Sequence, residues 1–237
     1  MKEEQEMKKI ENPYQEDLLL LSSSLSKLLK RRFGKGPETC YITMHASKLV
    51  IHIRNFITPA EDVLLKSKKR QLAHTFRASV METVFKEFSQ EAIDTLGIPF
   101  NYYLQDWNFE QNSALLLMEN RETDEWIDSF ISPLLKEKIF QLMTEICAEV
   151  HKQPTSMEII KAHPNLYVIK STGVLLQVEK MLVTKGHEDL LNERTAEIKE
   201  SYLRHATAFQ ELFESKVEDL FIMWDYIHDR SYCFIYI

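Results

Sequence analysis

The chain has little of what marks flexible, disulfide-linked or membrane-spanning proteins. It contains five glycines and seven prolines in 237 residues, which leaves little room for long flexible loops. Its three cysteines, Cys40, Cys147 and Cys233, are odd in number and far apart, which favours buried thiols over disulfides or a zinc site. No run of about 18 apolar residues is present, which argues against a transmembrane helix. We therefore expect a cytoplasmic protein with no direct membrane insertion.

Composition and charge narrow the class of protein further. Hydrophobic residues make up 44% and charged residues 27% of the chain, which is ordinary usage for a globular protein. The net charge of −7 argues against nucleic acid as a partner, because nucleic-acid binders carry a basic footprint. Two local basic clusters lie at residues 27–32 and 66–70. We interpret them as solvated helix ends that place cations near C-terminal carbonyl groups.

The second half of the chain resembles a degenerate copy of the first. Each half begins with an amphipathic helix, continues through a lysine-containing turn and two strands, and then has helices followed by two closing strands. Four pairs of landmarks are separated by 117 to 119 residues: Pro37 and Pro154, Glu61 and Glu179, Arg77 and Arg194, Asp106 and Asp225. Such near-constant spacing predicts the duplication of one folding unit.

The order of the elements predicts an α+β fold of two tandem repeats, each a helix-strand-strand-helix-strand-strand unit with an antiparallel sheet covered by helices. We divide the chain into a flexible leader (1–17), a first domain (18–118), a linker (119–129) and a second, divergent domain (130–237). If the duplication fused an ancestral dimer, the halves should pack about a pseudo-twofold axis. The chain is then a monomer with pseudo-twofold repeats, and a homodimer is the alternative.

The clearest local signal is the capping-box sequence TPAE at residues 58–61. Thr58 can accept a hydrogen bond from a free amide, a proline suits the first helical position, and Glu61 can return a bond to the cap residue. In the second half Leu176 replaces the threonine, whereas Glu179 remains. We therefore expect a helix to begin at residue 59 and a less well capped counterpart in the second half.

The motifs of the first half resemble those of the MpsC-like family, a small bacterial domain of formerly unknown function. The sequence RFGKGPE at residues 32–38, the sequence FITPAE at 56–61, the helical Arg77 and the late-strand Asp106 are similar to the family's GKGP turn, LTP-x-E helix start, arginine and aspartate. The resemblance covers about residues 18–118. Over residues 130–237 it retains Lys152, Pro154, Glu179, Arg194 and Asp225 but lacks both glycines and the Thr-Pro cap.

The resemblance implies a link to a sodium-translocating, membrane-potential-generating system associated with inorganic-carbon uptake, whose translocating parts are separate membrane proteins. It implies no catalytic residues. We therefore expect a non-enzymatic accessory or regulatory protein that binds a protein partner such as a membrane transporter component, although an enzymatic role stays open. The alternatives are a small-molecule or anion-binding sensor or enzyme with a site between the two repeats, and a general scaffold.

Seven residues are candidates for an anion or partner site: Gly34, Lys35, Gly36, Arg77, Asp106, Arg194 and Asp225. Free amides and a lysine in the glycine turn can attract phosphate or bicarbonate. A phosphate loop should follow a strand and open a helix, whereas this turn follows a helix, so a structural turn is favoured. We predict that Arg77 pairs with Asp106, and Arg194 with Asp225, and that these buried pairs order each unit.

Other chemistry finds little support in the sequence. The eight histidines show no metal-ligand spacing, and the serines at 22–24 have no nucleophile-elbow context. No set of nucleophile, base and orienting residue can be assembled. We therefore expect no metal site, no cofactor and no catalytic residues.

Overall fold

The computed structural model describes residues 13–120, 122–123, 126 and 130–237. The predicted leader lies outside this part up to residue 12, and most of the predicted linker also lies outside it. The first unit consists of α1 (Gln15–Phe33), β1 (Thr39–His45), β2 (Lys48–Arg54), α2 (Pro59–Lys66), α3 (Arg70–Leu96), β3 (Tyr102–Asn108) and β4 (Ser113–Glu119). The second consists of α4 (Pro133–Val150), β5 (Ser156–His163), β6 (Leu166–Thr172), α5 (Gln177–Thr184), α6 (Glu188–Arg204), α7 (Ala206–Phe213), β7 (Asp219–Asp225) and β8 (Arg230–Tyr236).

The two units have the same sheet topology. Each contains a four-stranded antiparallel sheet, in the order β1-β2-β4-β3 in the first unit and β5-β6-β8-β7 in the second. The predicted α+β fold of two similar units in tandem is thus confirmed. One difference lies in the helices, since the single long helix α3 of the first unit corresponds in the second unit to two helices, α6 and α7, divided at His205.

The capping signals form as the sequence predicts. In the first unit the Oγ1 atom of Thr58 accepts from the Glu61 N–H at 3.4 Å, and a carboxylate oxygen of Glu61 accepts from the Thr58 N–H at 2.9 Å. In the second unit Glu179 accepts from the Leu176 N–H at 2.7 Å. Because leucine has no side-chain acceptor, only this half of the capping box remains there.

Each sheet is covered by helices on one face and by the other sheet on its second face. Along β2, Leu49, Ile51 and Ile53 pack against the helices, whereas Val50 belongs to a separate core between the sheets. This third core joins Leu104, Leu115 and Leu117 of the first unit to Ile160, Leu166, Val168, Phe221, Met223, Tyr232 and Phe234 of the second. The strands β4 and β8 are therefore buried on both faces, and the molecule has four layers, helix-sheet-sheet-helix.

Contacts between β3 and β7 show an approximate twofold relation between the units. Tyr102 and Asp219 begin these strands, and Asn108 and Asp225 end them. The hydroxyl of Tyr102 donates to Asp225 at 2.9 Å, and the side-chain amide of Asn108 donates to Asp219 at 2.9 Å. Exchanging the two units converts one of these hydrogen bonds into the other, as the predicted pseudo-twofold packing requires.

The same strand register corrects one of the four landmark pairs. Both strand pairs run at a constant offset of 117 residues, which aligns Asp225 with Asn108 and Asp106 with Met223. The proposed correspondence of Asp106 with Asp225 is therefore wrong by two residues. A shift of two residues keeps a side chain on the same face of a strand, so the sequence pattern alone did not reveal it.

Candidate functional site between the two units

Arg77 pairs with Glu61, so the predicted pair of Arg77 with Asp106 is wrong. The guanidinium group of Arg77 donates to both carboxylate oxygens of Glu61 and, at 3.1 Å, to the carbonyl of Phe56. It also lies 4.0 Å from the ring centroid of Trp107. Burial lowers the pKa of Arg77, and the bonds to Glu61 oppose this shift. The pair fixes α3 against the start of α2, which is a structural role.

The corresponding pair in the second unit is looser. Arg194 lies 3.5 Å from the carboxylate of Glu179 and donates to the carbonyl of Val150. The exposed fraction of its side chain is 34%, against 2% for Arg77. The predicted pair of Arg194 with Asp225 is also wrong, because Asp225 binds Arg230 instead.

The contacts of the glycine turn after α1 end the helix and hold the turn against the rest of the first unit. Gly34 ends the helix with a φ of +77°, a conformation that glycine adopts without steric cost. The ammonium group of Lys35 donates to the carbonyl of Ile57 at 2.7 Å. At Gly36 an added Cβ would lie 3.3 Å from the Cβ of Lys30, so the turn packs closely on α1.

Asp225 belongs to a buried chain of charges that joins the units. It accepts hydrogen bonds from Arg230 at 2.8 Å, from the His228 ring at 2.7 Å and from Tyr102. Burial alone would raise the pKa of Asp225, but these hydrogen bonds outweigh it and hold the pKa below its ordinary value. Arg230 also binds Glu119, which in turn lies 3.1 Å from the ammonium group of Lys48.

A cleft of about 740 Å³ opens between the units, with α3 and α6 as walls and β3 and β7 as its floor. Of the seven candidate residues, Asp106 alone lines it within the described part of the chain. The ammonium group of Lys199 on α6 lies 2.6 Å from Asp106, and the backbone N–H of Ile222 donates to the same carboxylate at 2.8 Å. Burial raises the pKa of Asp106 despite both contacts.

Two further titratable groups of the cleft, His74 and Tyr226, are neutral near pH 7. Burial and the nearby cations Arg70 and Lys199 lower the pKa of His74 to about 4. Burial raises the pKa of Tyr226 to about 12. The Tyr226 hydroxyl donates to the carbonyl of Leu191 at 3.0 Å and contacts Thr195 at 2.5 Å.

Two tryptophans occupy equivalent positions of the cleft floor. Trp107 and Trp224 lie at the same register position of β3 and β7. The indole N–H of Trp107 donates to Gln105 at 2.9 Å, whereas the buried indole N–H of Trp224 has no hydrogen-bond partner among the described residues. The cleft thus combines an apolar, aromatic floor with one buried ion pair, a composition suited to binding an organic molecule.

The sequence analysis allowed for a site between the two repeats but named only Asp106 among the residues that line this cleft, because its walls come from segments about 120 residues apart. Lys199 had no feature in the sequence that connects it to Asp106. The repeat itself was the available signal, since a ligand site often forms where two similar units meet. Within the described residues, no group of three or more His, Cys, Asp or Glu side chains is arranged to hold a metal ion.

Comparison with known proteins identifies the first unit. Residues 19–119 match the family model described as Na⁺-translocating membrane potential-generating system (MpsC). Searches of curated proteins and of solved structures found no match. In the part of the chain that the structure describes, each helix is too short or too polar to cross a bilayer. The matched segment runs from α1 to the end of β4, so the first unit is similar to the MpsC family over nearly its whole length.

Proposed function

We propose that the protein is a non-enzymatic accessory or regulatory component of a membrane system that moves ions or inorganic carbon. The observation that carries this proposal is the family match over residues 19–119, because that family is described by a Na⁺-translocating system. In this proposal the translocating parts are separate membrane proteins, and the chain acts by binding one of them from the cytoplasm.

We also propose that the second unit is a divergent MpsC-like domain. The identical strand order and the constant strand offset of 117 residues support a common origin by duplication. The first unit keeps the tight Glu61–Arg77 pair, whereas the pair in the second unit is partly exposed. In this view the partner-binding role belongs to the first unit, and the second unit completes the scaffold.

Deletion of the gene in the native bacterium tests the transport role. We expect a deletion strain to lose part of its Na⁺-dependent membrane potential or its bicarbonate uptake, and complementation with the full chain to restore it. An Arg77→Met variant, which leaves the buried carboxylate of Glu61 without its counter-charge, should complement poorly, whereas Arg194→Met at a partly exposed pair should complement well. Unchanged membrane potential and unchanged bicarbonate uptake in the deletion strain would contradict the proposal.

The cleft supports a second candidate function, the binding of a small organic or anionic ligand between the units. Its volume of about 740 Å³ lies within the range of roughly 300–1,000 Å³ that is usual for ligand sites. Arg77 and Arg194 do not line it, so the anion chemistry expected from those residues does not apply. The available cations are Arg70, Lys199 and Arg204.

A thermal-shift screen against metabolites and anions tests this second candidate. An Ala78→Trp variant would fill the cleft from the α3 wall and should abolish any ligand-induced shift. The matched control is Thr83→Trp, at an exposed position of the same helix outside the cleft. A shift that survives Ala78→Trp would place the ligand elsewhere.

A further inference from the structure

The short connection between α2 and α3 carries a concentration of positive charge. Lys66, Lys68, Lys69 and Arg70 are four cations within five residues, and all are exposed. Lys66 pairs with Asp62 at 2.6 Å, and Arg70 lies 3.3 Å from Glu110. Within the described part of the chain, Lys68 and Lys69 have no ion-pair partner. Two of the four charges are therefore free to meet an external anion.

Helix stabilisation does not account for these cations. Lys66 at the end of α2 meets the negative end of a helix dipole, as the sequence interpretation assumed. Lys69 and Arg70, however, lie at the N-cap and the first residue of α3, whose first turn contains no acidic residue. A cation at the positive end of a helix dipole is unfavourable. The structure thus contradicts that interpretation for two of the four cations.

Lys68 adds a second local cost. Its φ is +58°, a left-handed conformation that is unfavourable for a residue with a side chain. The second unit has a connection of the same length, in which Gly186 occupies this position with a φ of +72°. The backbone bonds match as well: Lys68 N–H donates to the carbonyl of Leu65, as Gly186 N–H does to that of Val183. The first unit thus keeps a lysine where the backbone favours glycine, an outlier of the kind found at functional sites.

Exposed apolar side chains accompany the charges. Val63 and Leu72 flank the connection and are 62% and 52% exposed. Phe76 follows Leu72 by one helical turn, on the same side of α3, and is 39% exposed. At the same positions of the second unit, Met181 and Leu190 are exposed as well. The exposed apolar residues at the positions of Val63 and Leu72 are therefore common to both units, whereas the cluster of four cations is confined to the first.

We propose that the α2–α3 tip, defined as Val63, Lys66, Lys68, Lys69, Arg70, Leu72 and Phe76, binds the surface of an anionic membrane. Lysines near an anionic bilayer are attracted to its phosphate groups, and adjacent apolar side chains enter the interface between headgroups and acyl chains. The net charge of −7 is repelled by the same surface, so this local cluster orients the molecule with the tip towards the lipid. A nucleic acid would leave the apolar side chains without a partner. The proposal is independent of the proposed transport role, because the chain could bind a membrane protein without contacting the lipid.

Vesicle sedimentation tests the proposal with the full chain. Phosphatidylcholine vesicles with and without phosphatidylglycerol are compared at low and high salt. The tip variant carries Lys66→Thr, Lys68→Gly and Lys69→His, which copy the residues of the second unit. We expect the wild type to bind the anionic vesicles, and the tip variant to bind roughly 100-fold more weakly, at about fivefold per lysine.

Two further variants separate this surface from a general charge effect. The matched control, Lys27→Thr, Lys86→Thr and Lys216→Thr, removes three exposed cations elsewhere and should change binding by less than about twofold. A Leu72→Gln variant should weaken binding at high salt as well as at low salt. Because Gly suits the conformation of residue 68, the tip variant should melt no lower than the wild type.

Several results would overturn the proposal. They are an absence of binding to anionic vesicles at low salt, equal binding to vesicles with and without phosphatidylglycerol, and an equal loss in the matched control. Tighter binding of duplex DNA than of anionic vesicles would also overturn it.

Discussion

Removing Arg77 should destabilise the protein far more than removing Arg194. Arg77 is 2% exposed and its partner Glu61 is fully buried. An Arg77→Met variant therefore leaves a buried carboxylate without its counter-charge, which typically costs about 3–5 kcal/mol. Glu61 keeps two hydrogen bonds from Thr58, which places the expected cost near the lower end, about 3 kcal/mol.

Arg194→Met supplies the matched control in the second unit. Its side chain is 34% exposed and lies 3.5 Å from Glu179, so solvent screening reduces the expected cost to about 1 kcal/mol or less. Urea unfolding followed by circular dichroism measures both variants. For a chain of this size, a loss of about 3 kcal/mol corresponds to a decrease in Tm of roughly 6–12 °C.

A double variant sharpens this test. Adding Glu61→Gln to Arg77→Met removes the stranded charge, so part of the lost free energy of unfolding should return. Equal losses for Arg77→Met and Arg194→Met, or no recovery in the double variant, would show that the Arg77–Glu61 pair does not have the role derived for it.

Three further predictions concern single positions. Lys68→Gly should raise the free energy of unfolding by about 0.5–1 kcal/mol, because a left-handed conformation costs about 1–2 kcal/mol for residues with a side chain and the greater unfolded-state entropy of glycine offsets part of this gain. Gly186→Lys should lower the free energy of unfolding by a similar amount. A Tm change of the opposite sign in either variant would refute this. Burial, and to a smaller extent the nearby Arg54, lower the pKa of His52 to about 4, which is below the unfolded-state value of about 6.5. The free energy of unfolding should therefore fall as the pH decreases from about 6.5 to 4, by about 1.4 kcal/mol per pH unit for this histidine. His52→Phe should reduce this slope, measured by urea unfolding at a series of pH values. Glu119→Gln breaks the buried contacts to Lys48 and Arg230 and should cost about 3 kcal/mol, whereas Glu218→Gln at an exposed pair should cost less than about 1 kcal/mol in the same unfolding assay.

Local features of the fold could be predicted from the sequence because neighbouring residues determine them. The capping residues Thr58 and Glu61 predict the start of α2, and the alternation of Leu49, Ile51 and Ile53 along β2 is typical of a strand with one buried face. The repeat predicted two similar sheets. The run ALLLM in β4 was a further signal, because a strand with consecutive apolar residues is buried on both faces.

Contacts between distant residues could not be predicted in this way. Glu61 already had a role as a capping residue, so nothing in the sequence connected it to Arg77. Its carboxylate accepts hydrogen bonds from both Thr58 and Arg77. Asp106 meets Lys199 only because the two units pack against each other. The cleft depends on that packing as well, and its walls cannot be read from either unit alone.

The shared core between the sheets has a consequence for any smaller relative of this molecule. One face of each sheet is covered by the other sheet, through side chains such as Leu117 and Phe234. A polypeptide that ended after β4 would expose the apolar face of its sheet to water. That face would be buried again if it packed against the same face of a second copy. We therefore expect a relative with a single unit of this architecture to form a homodimer. In this chain the two units are covalently linked, so the equivalent interface joins two different sheets.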